Sequence, residues 1–242
     1  MRVLILGCGY TGQRVARRFL ARGARVTATH RDWELAEVQR CLTPGVLVAH
    51  SVPPAGSEGL IEALGDAPSR VVYLSTTAVY GSAQFVDENT PVSAETERAR
   101  LRLDEEARVA AGPWSSLILR PAAIYGPGRG VHERVKSGTH RMDDNIVSRI
   151  HVDDLAAHVE AALLSEVTGA YPVADEEPCT SREIAEFCGA GFSRPVMQAK
   201  ARSSNRRVDG SAIRRLLGLT LLYPSYRVGI PASITQPPLP RL

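Results

Sequence analysis

Residues 1–12 constrain this chain more than any other stretch. Val3, Leu4, Ile5 and Leu6 form a short apolar run, and Gly7-Cys8-Gly9-Tyr10-Thr11-Gly12 follows directly. Val15, Ala16, Phe19 and Leu20 then recur at helical spacing, which puts Gln13, Arg14, Arg17 and Arg18 on the opposite, polar face. A strand, a Gly-x-Gly-x-x-Gly turn and a helix, in that order, form the arrangement that receives the pyrophosphate of a dinucleotide. Gly7 permits the tight turn, Gly9 lets phosphate approach the main chain, and Gly12 lets helix and strand pack closely. The unpaired N–H groups of the first helical turn, around Tyr10 and Thr11, face the anion.

The next segment bears on which dinucleotide. Residues 25–29 read as a second strand, ending in Thr29, His30, Arg31 and Asp32. An acidic residue at the end of that strand bonds the adenosine ribose and selects NAD, whereas an arginine accommodates a 2′-phosphate. Arg31 is placed as the clamp, with Thr29 and His30 as further donors, so NADP is favoured over NAD. Residues 33–42 read as one helix and 46–49 as the next strand. That spacing has room for one helix only, so the third strand of the usual half-fold, an edge strand, is expected to be missing. Ser51-Val52-Pro53-Pro54 leaves a strand's carboxyl end, where ligands of open α/β sheets sit; Ser51 and Pro53 are assigned to the middle of the cofactor.

Further along, strands are expected over 70–75, 114–120 and 170–174, and helices over 60–64, 96–110, 153–164, 181–188 and 213–217. The helix over 96–110 carries Glu97, Arg98, Arg100, Arg102, Asp104, Glu105, Glu106 and Arg108, read as a solvated face. Asp153 and Asp154 are read as caps of the helix they open, with His151 supporting the loop. Thr180 and Glu183 form a capping box. The end of the chain from Pro231 reads as a proline-rich tail.

Composition removes several alternatives. At 242 residues, 44% hydrophobic and 23% charged, the chain fits one soluble domain or one with a small appended lobe. No apolar stretch approaches the ~20 residues of a membrane span. The first apolar run is too short for a signal peptide, so a cytoplasmic location is expected. Cys8, Cys41, Cys179 and Cys188 are scattered without a Cys-x-x-Cys pair, and neither they nor His140, Asp143 and Asp144 have metal-ligand spacing; no metal is expected. The net charge of +3 comes from arginines spread along the chain beside only two lysines, Lys136 and Lys200, which argues against nucleic-acid binding.

Several landmarks then fall in order. Gly7-x-Gly-x-x-Gly12, Tyr73-Leu-Ser-Thr-Thr-Ala-Val-Tyr-Gly81, Asp87-Glu-Asn-Thr-Pro91, Arg120-Pro-Ala-Ala-Ile-Tyr-Gly-Pro-Gly128, Arg149-Ile-His-Val-Asp-Asp-Leu-Ala156 and Val173-Ala-Asp-Glu-Glu-Pro178 span residues 1 to about 230. The sequence resembles the short-chain dehydrogenase/reductase superfamily, in its extended epimerase/dehydratase branch and among that branch's atypical members. The resemblance implies an α/β fold, a doubly wound parallel Rossmann sheet over 1–125 and 146–175. A small substrate lobe would form from 126–145 and 176–242, leaving a cleft for a nucleotide sugar or small carbonyl compound. It implies that Thr76 holds the reacting hydroxyl or carbonyl, that Ser75, Pro121 and Ile124 lie by the nicotinamide, and that Tyr125, Arg129 and His132 border the substrate.

One departure stands out. The family's acid/base pair is Tyr-x-x-x-Lys, a phenol tuned by an ammonium. The corresponding positions here read Thr96 and Arg100. A threonine cannot act as a phenolate, and an arginine can hold the nicotinamide ribose without trading protons. Tyr80 and Tyr125 are the candidate replacement acids. Two functions follow: an NADP-dependent oxidoreductase or epimerase with a replaced acid/base group, or a catalytically silent NADP-binding sensor. The resemblance also points to a homodimer paired through the helix over 97–110, whereas the dense charges of that helix argue for a monomer.

Overall fold

The computed structural model describes residues 1–30, 33–57, 59–140, 143–189, 205–237 and 239–240. The chain opens with β1 (Arg2–Leu6), α1 (Gly12–Ala21), β2 (Arg25–Ala28), α2 (Leu35–Cys41), β3 (Val46–His50), α3 (Leu60–Leu64) and β4 (Pro68–Leu74). A 3-10 turn over Thr77–Tyr80 leads to β5 (Phe85–Val86), α4 (Glu97–Ala111), β6 (Ser115–Pro121), β7 (Ala123–Tyr125) and α5 (Val131–Lys136). Then come β8 (Ile146–Val147), β9 (Arg149–His151), α6 (Val152–Leu163), β10 (Gly169–Val173), β11 (Cys179–Thr180) and α7 (Ser181–Gly189). The described chain closes with β12 (Arg207–Val208), α8 (Ser211–Leu216) and α9 (Tyr226–Thr235).

Six strands form the central sheet in the order β10-β6-β4-β3-β1-β2, and every pairing in it is parallel. Among the described residues nothing pairs beyond β2, and α2 alone bridges β2 to β3, so the expected loss of the outer strand is what the fold shows. Both faces of the sheet are covered, which is why its strands are continuous apolar runs. Val3 and Ile5 of β1 face one core with Val15 and Phe19 of α1 and Leu155 and Val159 of α6. Leu4 and Leu6 face the other, with Val38, Leu60, Leu64 and Val109. A third cluster joins Tyr125, Val131 and Val135 to Ile184, Cys188, Tyr226 and Ile230.

Three expectations change. Arg14 is not on a polar face of α1: it is buried, and its Nε donates to Asp153 of α6 at 2.7 Å, while Arg18 and Arg22 reach Glu160. Helix α1 therefore presents cations as well as apolar groups to α6. The segment around Pro231 is no tail. It lies within α9, because Tyr226, Ile230 and Ser233 recur on one buried face and outweigh the hydrogen bond that proline removes. The cap of α6 is His151, whose Nδ1 accepts the Asp153 amide at 3.2 Å; Asp154 turns inward instead to accept the Leu222 and Tyr223 amides.

Candidate active site

The glycine turn is held from behind. Gly7 adopts φ +87°, and its N–H donates to Thr29 Oγ1 at 3.0 Å while the Cys8 N–H donates to Thr29 O at 2.8 Å. Ser51 Oγ donates to Gly7 O at 2.8 Å. Thr29 and Ser51 thus brace the turn, and their hydroxyls are spent on it. The other two glycines differ sharply in what surrounds them. A Cβ on Gly12 would stand 2.3 Å from Gly7 O, whereas a Cβ on Gly9 would meet nothing within 4 Å. Among the described residues, the N–H groups of Tyr10, Thr11 and Gly12 have no acceptor, and the Thr11 side chain does not cap α1. Open space over Gly9 beside three free donors fits a diphosphate.

Tyr10 ties this turn to the loop after β7. Its hydroxyl donates to Pro127 O at 3.2 Å, and the guanidinium groups of Arg14 and Arg129 stack over its ring, 4.4 and 5.1 Å from the ring centre. Arg129, assigned to the substrate, therefore also borders the cofactor turn. His30 and Pro53 are exposed at the sheet's rim, and Arg31 lies outside the described residues. Pro121 ends β6, buried, and Ile124 of β7 packs half-buried against the main core.

At the carboxyl end of β4, Ser75 donates its amide to Leu119 O at 2.8 Å, and its buried hydroxyl has no partner. Thr76 is half-buried beside it, accepting the Ala78 amide at 3.2 Å and capping the 3-10 turn. Both hydroxyls therefore stand where ligands of such sheets sit.

The candidate acids are both buried. Tyr80 is 1% exposed and accepts from Arg120 at 3.1 Å; Tyr125 is equally buried and donates to Ser225 O at 3.3 Å. Burial pushes both phenols above their ordinary range, away from proton exchange near neutrality. Tyr125 Oη would also lie 2.1 Å from a Cβ on Gly229, so α9 is seated directly on it.

Thr96 and Arg100 are exposed, Thr96 serving as the cap of α4. The arginine of α4 that reaches the sheet is Arg102. Its Nη1 donates to Tyr73 Oη at 2.7 Å and Leu74 O at 3.2 Å, leaving Nε buried and unpartnered. Helical phase was the available signal: Ala99 and Val109 are the apolar anchors of α4, and position 102 shares their face while 100 does not. The same face buries Glu105 against His50 at 2.9 Å, with Arg108 on its other oxygen, and Glu106 against Arg120 at 2.6 Å. Charges expected on a solvated surface thus form a buried network under the strand ends. Desolvation lowers the His50 pKa, so the pair is a neutral imidazole against an ionised carboxylate.

His132 on α5 is buried with neither ring nitrogen hydrogen-bonded, the Glu133 carboxylate standing 3.5 Å off. Among the described residues no cluster of His, Cys, Asp and Glu is arranged to hold a metal ion, and no helix is long and apolar enough to cross a membrane.

Comparison with known proteins agrees with this fold. No protein-family model matches the chain. The 3-diazoavenalumate denitrifying reductase of a Streptomyces species is 28% identical over 210 residues, 72% of this chain and 68% of its own length. A Methylobacillus flagellatus protein assigned as an NAD-dependent epimerase/dehydratase is 26% identical, with a TM-score of 0.80 over 96% of this chain and 97% of its own. MoeE5, solved with UDP-glucose and NAD, superposes with a TM-score of 0.83 over 97% of each chain; at 20% identity that likeness is one of fold. The chain has the fold of a nicotinamide-dinucleotide oxidoreductase. In sequence and fold it is similar to a protein assigned as an NAD-dependent epimerase/dehydratase and to a reductase.

Proposed function

We propose that this protein is an NADP-preferring reductase or epimerase that acts on a small carbonyl or hydroxyl compound, of which a nucleotide sugar is one class. The observation that carries this is the open space over Gly9 beside the free amides of Tyr10, Thr11 and Gly12, on the same sheet edge as Ser75 and Thr76. A bound nicotinamide would supply or accept the hydride. Thr76 would hold the reacting oxygen by its hydroxyl, and Arg102 would set a fixed positive charge behind the site. MoeE5 with NAD and UDP-glucose supports the pairing of dinucleotide and sugar nucleotide, and the Streptomyces enzyme supports a reductase. Residues 126–145 and 176–242 are taken as the substrate side.

Two outcomes test this reading. NADPH should bind by calorimetry, and Arg31→Asp should weaken NADPH about tenfold while sparing NADH, since the arginine serves only the 2′-phosphate. Equal losses for both would remove the clamp. In any carbonyl reduction found on screening, Thr76→Ala should lower kcat about 100-fold with little change in NADPH affinity, as for loss of one oriented donor.

A silent sensor is the second reading, favoured by the burial of Tyr80 and Tyr125, whose hydroxyls are already bonded to Arg120 and to Ser225 O. Tight NADPH binding without turnover across carbonyl and sugar-nucleotide panels would establish it.

A further inference from the structure

The absent outer strand leaves one corner of the sheet uncovered, and positive charge collects there. Arg2 opens β1 and Arg25 opens the edge strand β2; in the parallel register they lie directly across from each other, with Leu4 against Thr27 next along. Side chains alternate along a strand, so all four point to the face on which Leu4 packs with Val38 of α2. Helix α2 ends at Cys41, and Cys41, Thr43 and Val46 complete an open hollow of about 200 Å³ that both arginines line. It sits at the far end of the sheet from the glycine turn. Leu6, which leads into Gly7, is four residues and about 13 Å along β1 from Arg2.

No acid lines this hollow. Arg2 and Arg25 are exposed, and among the described residues neither guanidinium has a hydrogen-bond or ion-pair partner; the Thr27 hydroxyl has none either. Like charges facing each other across a strand pair repel, and adjacent strands stand only about 4.8 Å apart. Elsewhere the fold compensates its cations. Arg14, Arg18, Arg22 and Arg120 each meet a carboxylate. In the hollow beside β5 and β12, Arg207 and Arg214 share the lining with Asp87, Glu176 and Asp209, while Asp175 keeps both oxygens buried and unpartnered. The corner at Arg2 and Arg25 is left with two reachable cations and nothing to neutralise them.

We propose that this corner binds a small phosphorylated metabolite, its phosphate on Arg2 and Arg25 and a body of a few carbons in the hollow beside Leu4 and Val46. A phosphate monoester carries nearly two charges and three acceptor oxygens, which two guanidinium forks match. The Thr27 hydroxyl adds a donor on the same face. A carboxylate would neutralise one arginine only, and a metal ion would be repelled by both. The volume equals about six or seven waters at roughly 30 Å³ each, room for a phosphate with a short carbon body and too little for a nucleotide.

The test is calorimetry on the whole chain with sn-glycerol 3-phosphate, inorganic phosphate and glycerol, at low salt because exposed charges are screened. Glycerol 3-phosphate should bind, inorganic phosphate several-fold more weakly, and glycerol not at all. Arg2→Gln and Arg25→Gln should each weaken glycerol 3-phosphate about tenfold and leave NADPH affinity unchanged. Both side chains are exposed, so either variant keeps the fold, and a thermal melt should show a midpoint no lower than the parent's. Gly9→Val should bind glycerol 3-phosphate as the parent does, because the glycine turn is not involved. The proposal is overturned if glycerol 3-phosphate does not bind, or if either arginine variant binds it as tightly as the parent. It is overturned equally if inorganic phosphate matches the ester, which would leave the hollow without an occupant, or if Gly9→Val loses the ester, which would move the phosphate to the dinucleotide site.

Discussion

Replacing Gly9 with valine is expected to abolish dinucleotide binding and leave the protein folded. Gly9 has an ordinary backbone conformation, and an added Cβ meets no protein atom within 4 Å, so the fold has no use for the missing side chain. The space is needed for something the chain does not itself contain. A valine there would stand between the amides of Tyr10, Thr11 and Gly12 and a diphosphate, and the loss should exceed about 100-fold for NADPH and NADH alike. The melting temperature should stay within about 2 °C of the parent. Gly12→Ala is the contrasting case. Its Cβ would be forced to 2.3 Å from Gly7 O, main chain against main chain, and overpacking of that kind costs roughly 1–3 kcal/mol of stability. Calorimetry with both nucleotides, beside thermal melts, reads the two effects separately. A Gly9→Val protein that still binds NADPH would mean that the turn is only a turn.

What the sequence disclosed and what it withheld divide along the range of the interactions. The runs at Val3–Leu6, Val46–Ala49 and Val71–Leu74 announce buried parallel strands locally, and the gap between β2 and β3 announces the missing strand by its length. Arg14 looked like a surface residue because its partner, Asp153, is distant in sequence and touches it only once α6 lies on α1. The pairing of β5 with β12 joins Phe85 to Arg207 and carries no local sign at all. Pro231 misled for a different reason: proline is a strong local signal for a break, and the buried spacing of Tyr226, Ile230 and Ser233 prevails over it. At the site, the form of the glycine turn was legible, because main-chain conformation sets it. The acid/base end was not. Whether Arg100 or Arg102 faces the sheet depends on the phase of α4, and whether Tyr80 is available depends on Arg120 lying across it.

Acid should unfold this protein well above the range where carboxylates titrate, and two buried side chains should set the slope in opposite directions. His158 is buried against its own helix with Nε2 unpartnered, and desolvation lowers it from 6.5 to about 4. His50, His132, His140 and His151 are lowered too, burial being the main cause in each. A histidine held neutral in the fold is protonated only on unfolding, so its contribution is intact above about pH 6.5 and lost as pH falls toward its folded value. Asp175 works the other way. Raised from 3.8 to about 8, it holds a proton in the fold that the unfolded chain releases, so it favours the fold increasingly as pH drops from 8 toward 4; Asp154 is raised in the same sense. The histidines outnumber the aspartates, and the net slope between pH 6.5 and 4 should be at least one proton, about 1.4 kcal/mol per pH unit. Urea midpoints at pH 7.5, 6 and 5 measure it. Asp175→Asn removes the opposing group and should steepen the decline by about one proton, whereas His158→Leu should flatten it by the same amount. Were both variants to keep the parent's slope, neither group would titrate as its burial dictates, and the unpartnered state of Asp175 would lose its physical meaning.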